Sequence, residues 1–136
     1  TEKIIFAENP SRNAMIYAII LILFLNSTML NTTKGMEYVG EEISNEVEDG
    51  DNILYVSEPY HAMHRLYTLQ ITVDPEHDRE ITGYWADYQY NWSHILDDSN
   101  IDWVIFTGEW QSYLDNTWTE FETDTDYLIY HRKASL

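Results

Sequence analysis

The sequence predicts an α/β layer fold, and three observations carry that reading. From residue 36 onward, stretches with helical apolar spacing alternate with short apolar runs. Residues 101–108 (Ile-Asp-Trp-Val-Ile-Phe-Thr-Gly) are apolar enough for a central strand. Residues 52–57 (Asn-Ile-Leu-Tyr-Val-Ser) follow Gly50, a natural left-handed stop, and read as a buried strand. Helix–strand alternation of this kind favours a small Rossmann-like three-layer domain with a mainly parallel sheet and right-handed crossovers, with an antiparallel edge possible at the last strand.

In chain order, residues 1–12 form a short flank, and Ser11 is an N-cap candidate after the turn at Asn9-Pro10. Residues 14–25 contain no charge, and extending the run to Leu30 gives 17 uncharged residues, roughly 26 Å of helix. That is slightly short of a hydrocarbon core of ~30 Å, and the expectation is a transmembrane helix over 13–30. A buried core helix and a cleaved signal peptide are the alternatives. Arg12 places the preceding flank on the cytoplasmic side, which puts residues 35–136 outside the cell membrane. Thr1 in place of a methionine suggests a piece of a longer protein.

Met36, Val39, Ile43 and Val47 then mark an amphipathic helix. After the 52–57 strand, Pro59 fits the first turn of a helix reaching about Leu69, with Tyr60, Met63 and Leu66 or Tyr67 as its buried stripe. Residues 70–83 are ambiguous between strand and turn, with a second short strand over 81–86. Tyr84, Trp85, Tyr88, Tyr90 and Trp92 crowd five aromatics into nine residues, which either cover the core edge or form a stacking platform. A short helix near Trp92–Leu96 leads to the 101–108 strand. Trp110, Tyr113, Leu114, Trp118 and Phe121 suggest a helix over 109–122, and 126–132 is the closing strand.

Charge is distributed unevenly. Residues 35–136 carry 22 acidic and 4 basic side chains, whereas 1–34 carry three basic and two acidic ones. A domain with a net charge of −18 repels nucleic acid phosphates and anionic headgroups, so its partners are expected among cations, neutral molecules and basic surfaces. Such acidity also suits solubility in concentrated salt. With no cysteine, disulfides, thiolate metal sites and cysteine nucleophiles are excluded.

In a parallel α/β sheet the ligand position lies beyond the C-terminal strand ends, which singles out Glu58, Tyr60, His61 and His64 after the first strand and Gly108 and Glu109 after the later one. Neither turn has a dinucleotide or phosphate-cradling glycine pattern, and no cofactor is expected. His61 and His64, three apart, could hold a metal with Glu58 or His77, but the spacing is ordinary for an exposed helix face and no metal is assigned. No carboxylate pair or serine elbow stands out as catalytic.

The order of these features, with the local runs Asp49-Gly50-Asp51 and Ile101-Asp102-Trp103-Val104, resembles the C-terminal end of GT-C type membrane glycosyltransferases, the dolichyl-phosphate-mannose protein mannosyltransferase and aminoarabinose transferase group. The resemblance implies a last transmembrane helix followed by an extracytoplasmic α/β domain. It implies membrane lipid as a partner and a polyprenyl-phosphate-linked sugar donor bound by the missing upstream part, with the catalytic residue absent from this chain. The alternatives are a single-pass membrane protein with an acidic outer ligand- or partner-binding domain, and a soluble acidic enzyme.

Overall fold

A computed structural model of the chain describes residues 10–108 and 113–132, with side chains of residues 10 and 26–33 left aside. The chain divides into two units, Thr1–Thr32 and Thr33–Leu136, and the division falls inside the first helix. That helix, α1, runs Pro10–Ile43, so Ser11 lies within it and the two helices expected over 13–30 and 36–47 are one element.

Among the described residues no helix is long and apolar enough to cross a membrane. The transmembrane helix expected over 13–30 is therefore corrected. The uniformly apolar run is the twelve residues 14–25, about 18 Å of helix, and Asn26-Ser27-Thr28 interrupt it well before a hydrocarbon core would be spanned. Within that run, Met15 through Leu25 include ten large apolar side chains that are 37–72% exposed.

In the second unit, β1 (Asn52–Ser57), α2 (Ala62–Val73), β2 (Thr82–Asp87), α3 (Ser93–Asp98), β3 (Trp103–Phe106), β4 (Thr119–Phe121) and β5 (Leu128–His131) follow the last turns of α1. The strands form one sheet in the order β2-β1-β3-β5-β4. β1 pairs in parallel with β2 and with β3, whereas β5 pairs antiparallel with both β3 and β4. The sheet is mixed, which corrects the mainly parallel, Rossmann-like expectation: only the β2-β1-β3 portion keeps the parallel order. The six residues 122–127 joining β4 to β5 are too few for a parallel crossover, which takes a dozen or more, so this pair closes as a hairpin.

Two apolar clusters sandwich the sheet. On one face Met36, Val39, Ile43 and Val47 meet Ala62, Leu66, Leu69 and Val73 of α2 over Ile53, Tyr55, Trp103, Ile105 and Ile129. On the other, Trp92, Leu96, Ile101 and Trp118 cover Leu54, Val56, Ala86, Val104 and Phe106. Alternate residues of β1 and β3 thus enter opposite clusters, so both strands are buried along their whole length except at Asn52.

Three local expectations change. Pro59 precedes α2 by three residues, and α2 extends to Val73, absorbing Ile71 and Val73. Of the expected stripe only Leu66 is buried; Tyr60, Met63 and Tyr67 are exposed. The helix expected over 109–122 is absent from the described part of that range, where Asp115-Asn116-Thr117 turn the chain into β4. Asp115 Oδ1 accepts from the Thr117 amide at 2.9 Å, and the β-branched Thr117 and Thr119 favour the strand. The remaining residues of that range, 109–112, lie outside the described ones.

Arg79 joins the pieces. Its Nη1 donates to the carbonyls of Ser44 (3.1 Å) and Val73 (3.0 Å), and its Nη2 to the carbonyl of Val47. Its Nε meets Asp49 at 3.0 Å. One guanidinium therefore caps the carbonyl ends of both α1 and α2, where a cation also complements the helix dipoles. The Arg79 carbonyl accepts from the amide of Gly50 (2.8 Å), whose φ of +85° suits glycine in this turn. The buried Asp74 carboxylate holds the same loop, accepting from the amides of Asp78 (3.1 Å) and Arg79 (3.3 Å).

At the amino ends of β1 and β3, Asp102 accepts from the Asn52 amide at 2.9 Å and returns its own amide to the Asn52 carbonyl. Asp51 accepts from Trp103 Nε1 at 2.9 Å. Burial pushes the Asp102 carboxyl above its ordinary range; the Asn52 amide opposes this, Asp51 adds to it and Arg132 opposes it.

Arg79→Met leaves the carbonyls of Ser44, Val47 and Val73 without this donor and is expected to cost about 2–4 kcal/mol by urea unfolding, with Arg79→Lys recovering less than half of the loss. Because the folded protein holds the Asp102 proton more tightly than the unfolded chain, ionising this group costs stability. That cost is absent below the ordinary aspartate pKa and complete above the raised one. Asp102→Asn keeps the acceptor for Asn52, so its stability relative to the parent should improve as pH rises from about 3 to 6, read as a difference in melting temperature.

Candidate functional site

The connections of β1 and β3 leave in opposite directions. β1 leads through α2 to β2 at one side of the sheet, and β3 leads towards β4 and β5 at the other. In α/β sheets a reversal of this kind marks the carboxyl ends of the two strands, here β1 and β3, as the candidate ligand position. The amino ends are stitched together by Asn52, Asp102, Asp51 and Trp103, so the carboxyl ends are the side of the sheet left for a ligand.

β1 is followed by the loop 57–61, which leads into α2. Ser57 is buried; its hydroxyl donates to the Glu58 carbonyl at 2.8 Å and accepts from Trp85 Nε1 at 3.0 Å. Both roles of that oxygen are taken, which makes Ser57 a brace between β1 and β2 rather than a free nucleophile. Glu58 and Tyr60 are exposed, and the Tyr60 ring lies edge-on to His61 at 3.9 Å between centroids. His61 sits at the N-cap of α2, not on the helix, with φ 56° and ψ 16° and no side-chain capping bond. Left-handed backbone at a non-glycine residue is unfavourable, and here it turns the chain from β1 into α2. The imidazole Nε2 is buried and has no hydrogen-bond partner among the described residues.

After β3, Thr107 is exposed and Gly108 half-buried; Glu109 lies outside the described residues. The sequence-derived residues thus divide. Glu58, Tyr60 and His61 share one loop, and Gly108 follows the neighbouring strand. His64 has its ring 5.8 Å from that of His61 but is exposed on α2, where it lines a separate cleft with Met63, Leu66, Tyr67 and Gln70. His77 follows the far end of α2, about 18 Å away along a twelve-residue helix, and cannot join the other two histidines. Among the described residues no group of three or more histidines and carboxylates is placed to hold a metal ion.

The aromatic run is mostly structural. Trp92 is buried against Phe106 with centroids at 5.3 Å, Trp85 braces Ser57, and Tyr84 and Tyr88 pack on the second cluster. Tyr90 alone projects, 74% exposed. Sequence reasoning missed the roles of Ser57 and Trp85. β-strand register was the available signal, since Ser57 and Asp87 are paired and Trp85 stands one residue-pair back on the same face.

The fold defines a small mixed α/β domain. Comparison with known proteins finds no matching family model, no matching curated protein and no matching solved structure. The resemblance to the C-terminal end of GT-C glycosyltransferases is thereby corrected: no family evidence supports it, and the membrane helix it requires is not found among the described residues. Its two local matches have simpler explanations, Asp49-Gly50-Asp51 as the turn held by Arg79 and residues 101–104 as the approach to a strand buried on both faces.

Glycine accepts φ near +56° without the steric penalty that a Cβ incurs. His61→Gly is therefore expected to be more stable than His61→Ala by about 1 kcal/mol, measured as the difference in urea midpoints at constant slope.

Proposed function

We propose that the unit 33–136 is a ligand-binding domain that takes a small neutral or cationic molecule at the carboxyl ends of β1 and β3, beside the loop 57–61. The observation that carries this reading is the buried Nε2 of His61, in the loop that follows β1, which has no hydrogen-bond partner among the described residues. An unsatisfied polar atom in a protein interior costs about 1–3 kcal/mol, and a ligand hydroxyl or amine would meet the need.

The surroundings support the same class of ligand. Exposed Tyr60 offers an aromatic face, Glu58 and Asp87 supply carboxylates at the rim, and Thr107 a hydroxyl. Carboxylates accept hydrogen bonds from hydroxyl and ammonium groups and repel phosphate. The occupied hydroxyl of Ser57 favours binding over covalent chemistry.

The test is an NMR titration of the full chain with glucose, putrescine and adenosine triphosphate. Glucose or putrescine should shift the resonances of Tyr60, His61, Thr107 and Gly108, and His61→Ala should weaken that response by about tenfold, the effect of one buried hydrogen bond. Binding of the triphosphate at these residues, or silence there with all three compounds, would overturn the proposal.

A further inference from the structure

A second surface lies at the β2 end of the sheet. β2 is an end strand of the sheet, bonded to β1 along one edge, and among the described residues no strand pairs with its other edge. The amides of Thr82 and Tyr88 point inward, donating to Asp51 (3.1 Å) and Ser57 (3.2 Å). Amide direction alternates along a strand, so the amides of Gly83, Trp85 and Asp87 face outward. The features that usually blunt an open edge, proline, lysine or a bulge, are missing from Thr82–Asp87.

Beside this edge α2 presents a second apolar ridge. Met63 and Tyr67, one turn apart, are 54% and 61% exposed, and with His64, Leu66 and Gln70 they line a cleft of about 400 Å³. Gly83 brings the cleft down to the strand: a Cβ there would lie 2.8 Å from Leu66 Cδ1 and 3.1 Å from Gln70 Cδ, so the absent side chain lets α2 settle against the edge strand. Main-chain donors and an apolar slot therefore run side by side. That pairing is what an added strand uses, its backbone bonding to the edge and alternate side chains entering the slot.

Charge selects the occupant. Exposed Glu76, Asp78 and Glu80 precede the strand and Asp87 ends it, while Arg79 is engaged by Asp49 and three carbonyls. Neither β2 nor the cleft lining contributes a lysine or arginine. A second copy would bring an equally acidic edge against this one, so self-pairing is disfavoured. We infer that the outer edge of β2 is a strand-addition site for an extended segment of a partner protein, with alternating apolar side chains flanked by lysine or arginine.

The probe is an eight-residue peptide alternating valine and threonine between terminal lysines, added to the full chain and followed by amide exchange and NMR shifts. Slowed exchange at Gly83, Trp85 and Asp87 is expected. Tyr67→Ala, at an exposed position that the fold tolerates, should weaken binding about tenfold, as should replacing the peptide's lysines by glutamates. The proposal is overturned if the β2 amides do not respond, if a peptide N-methylated at alternate positions binds equally well, or if the same amides are protected at rising protein concentration without peptide, which would assign the edge to a second copy.

Discussion

One guanidinium holds the acidic domain in register. Arg79 lies two residues before Ile81, at the entrance to β2, yet its side chain ties the carbonyl ends of α1 and α2 together. Its own carbonyl receives the Gly50 amide, and the Thr82 amide goes to Asp51 in the next turn. The starting points of β1 and β2 are thereby fixed to each other and to both helices. Register in a parallel pair decides which face every side chain takes, so the partition of Tyr55 and Trp85 to one cluster and of Leu54 and Ala86 to the other follows from where this loop is anchored. The ion pair with Asp49 adds little by itself, since Asp49 is largely exposed. The carbonyls matter more, because no other side chain among the described contacts reaches all three.

The same economy governs the other cations. Arg132 donates to the carbonyls of Ile101 (2.8 Å) and Leu96 (3.1 Å), closing the end of α3, and lies over the Trp118 ring. Arg65 donates to the buried Tyr55 hydroxyl at 3.2 Å, linking α2 to β1. A domain with 22 carboxylates and four basic residues thus places its arginines on backbone carbonyls and a phenol, where a planar multi-donor group satisfies several acceptors at once. Most of its carboxylates remain on the surface. The exposed carboxylates in the loop after β1 and in the residues before β2 are the other side of that allocation.

How far the sequence could be read depended on how many faces of each element are buried. β1 and β3 are covered on both sides, so they appear as nearly unbroken apolar runs that survive any error of phase. α2 is different. It carries two stripes, Ala62-Leu66-Leu69-Val73 and Met63-Tyr67-Ile71, and periodicity does not say which one faces the sheet. The small Ala62 and the β-branched Val73 belong to the core, whereas the larger tyrosines attract the eye. Trp118 and Phe121 have helical spacing but enter opposite clusters from an extended segment, and the Asp-Asn-Thr turn ahead of them was the better guide. The carboxyl ends of β1 and β3 were legible from where those apolar runs stop, at Ser57 and Phe106. The left-handed backbone at His61 was not, because nothing in a histidine announces it.

β3 sits third in the sheet, with β1 on one side and β5 on the other, and β5 is the last strand in sequence. During synthesis the chain can assemble β2-β1-β3 from local crossovers, but the far flank of β3 then waits for residues more than twenty positions downstream. In that interval a strand of four fully apolar residues stands at an edge, the sort of surface that recruits neighbouring chains. Trp118 and the β4–β5 hairpin are therefore more than a decoration of the domain: their arrival ends the nascent chain's most adhesive moment, and anything that delays translation across 107–128 lengthens it.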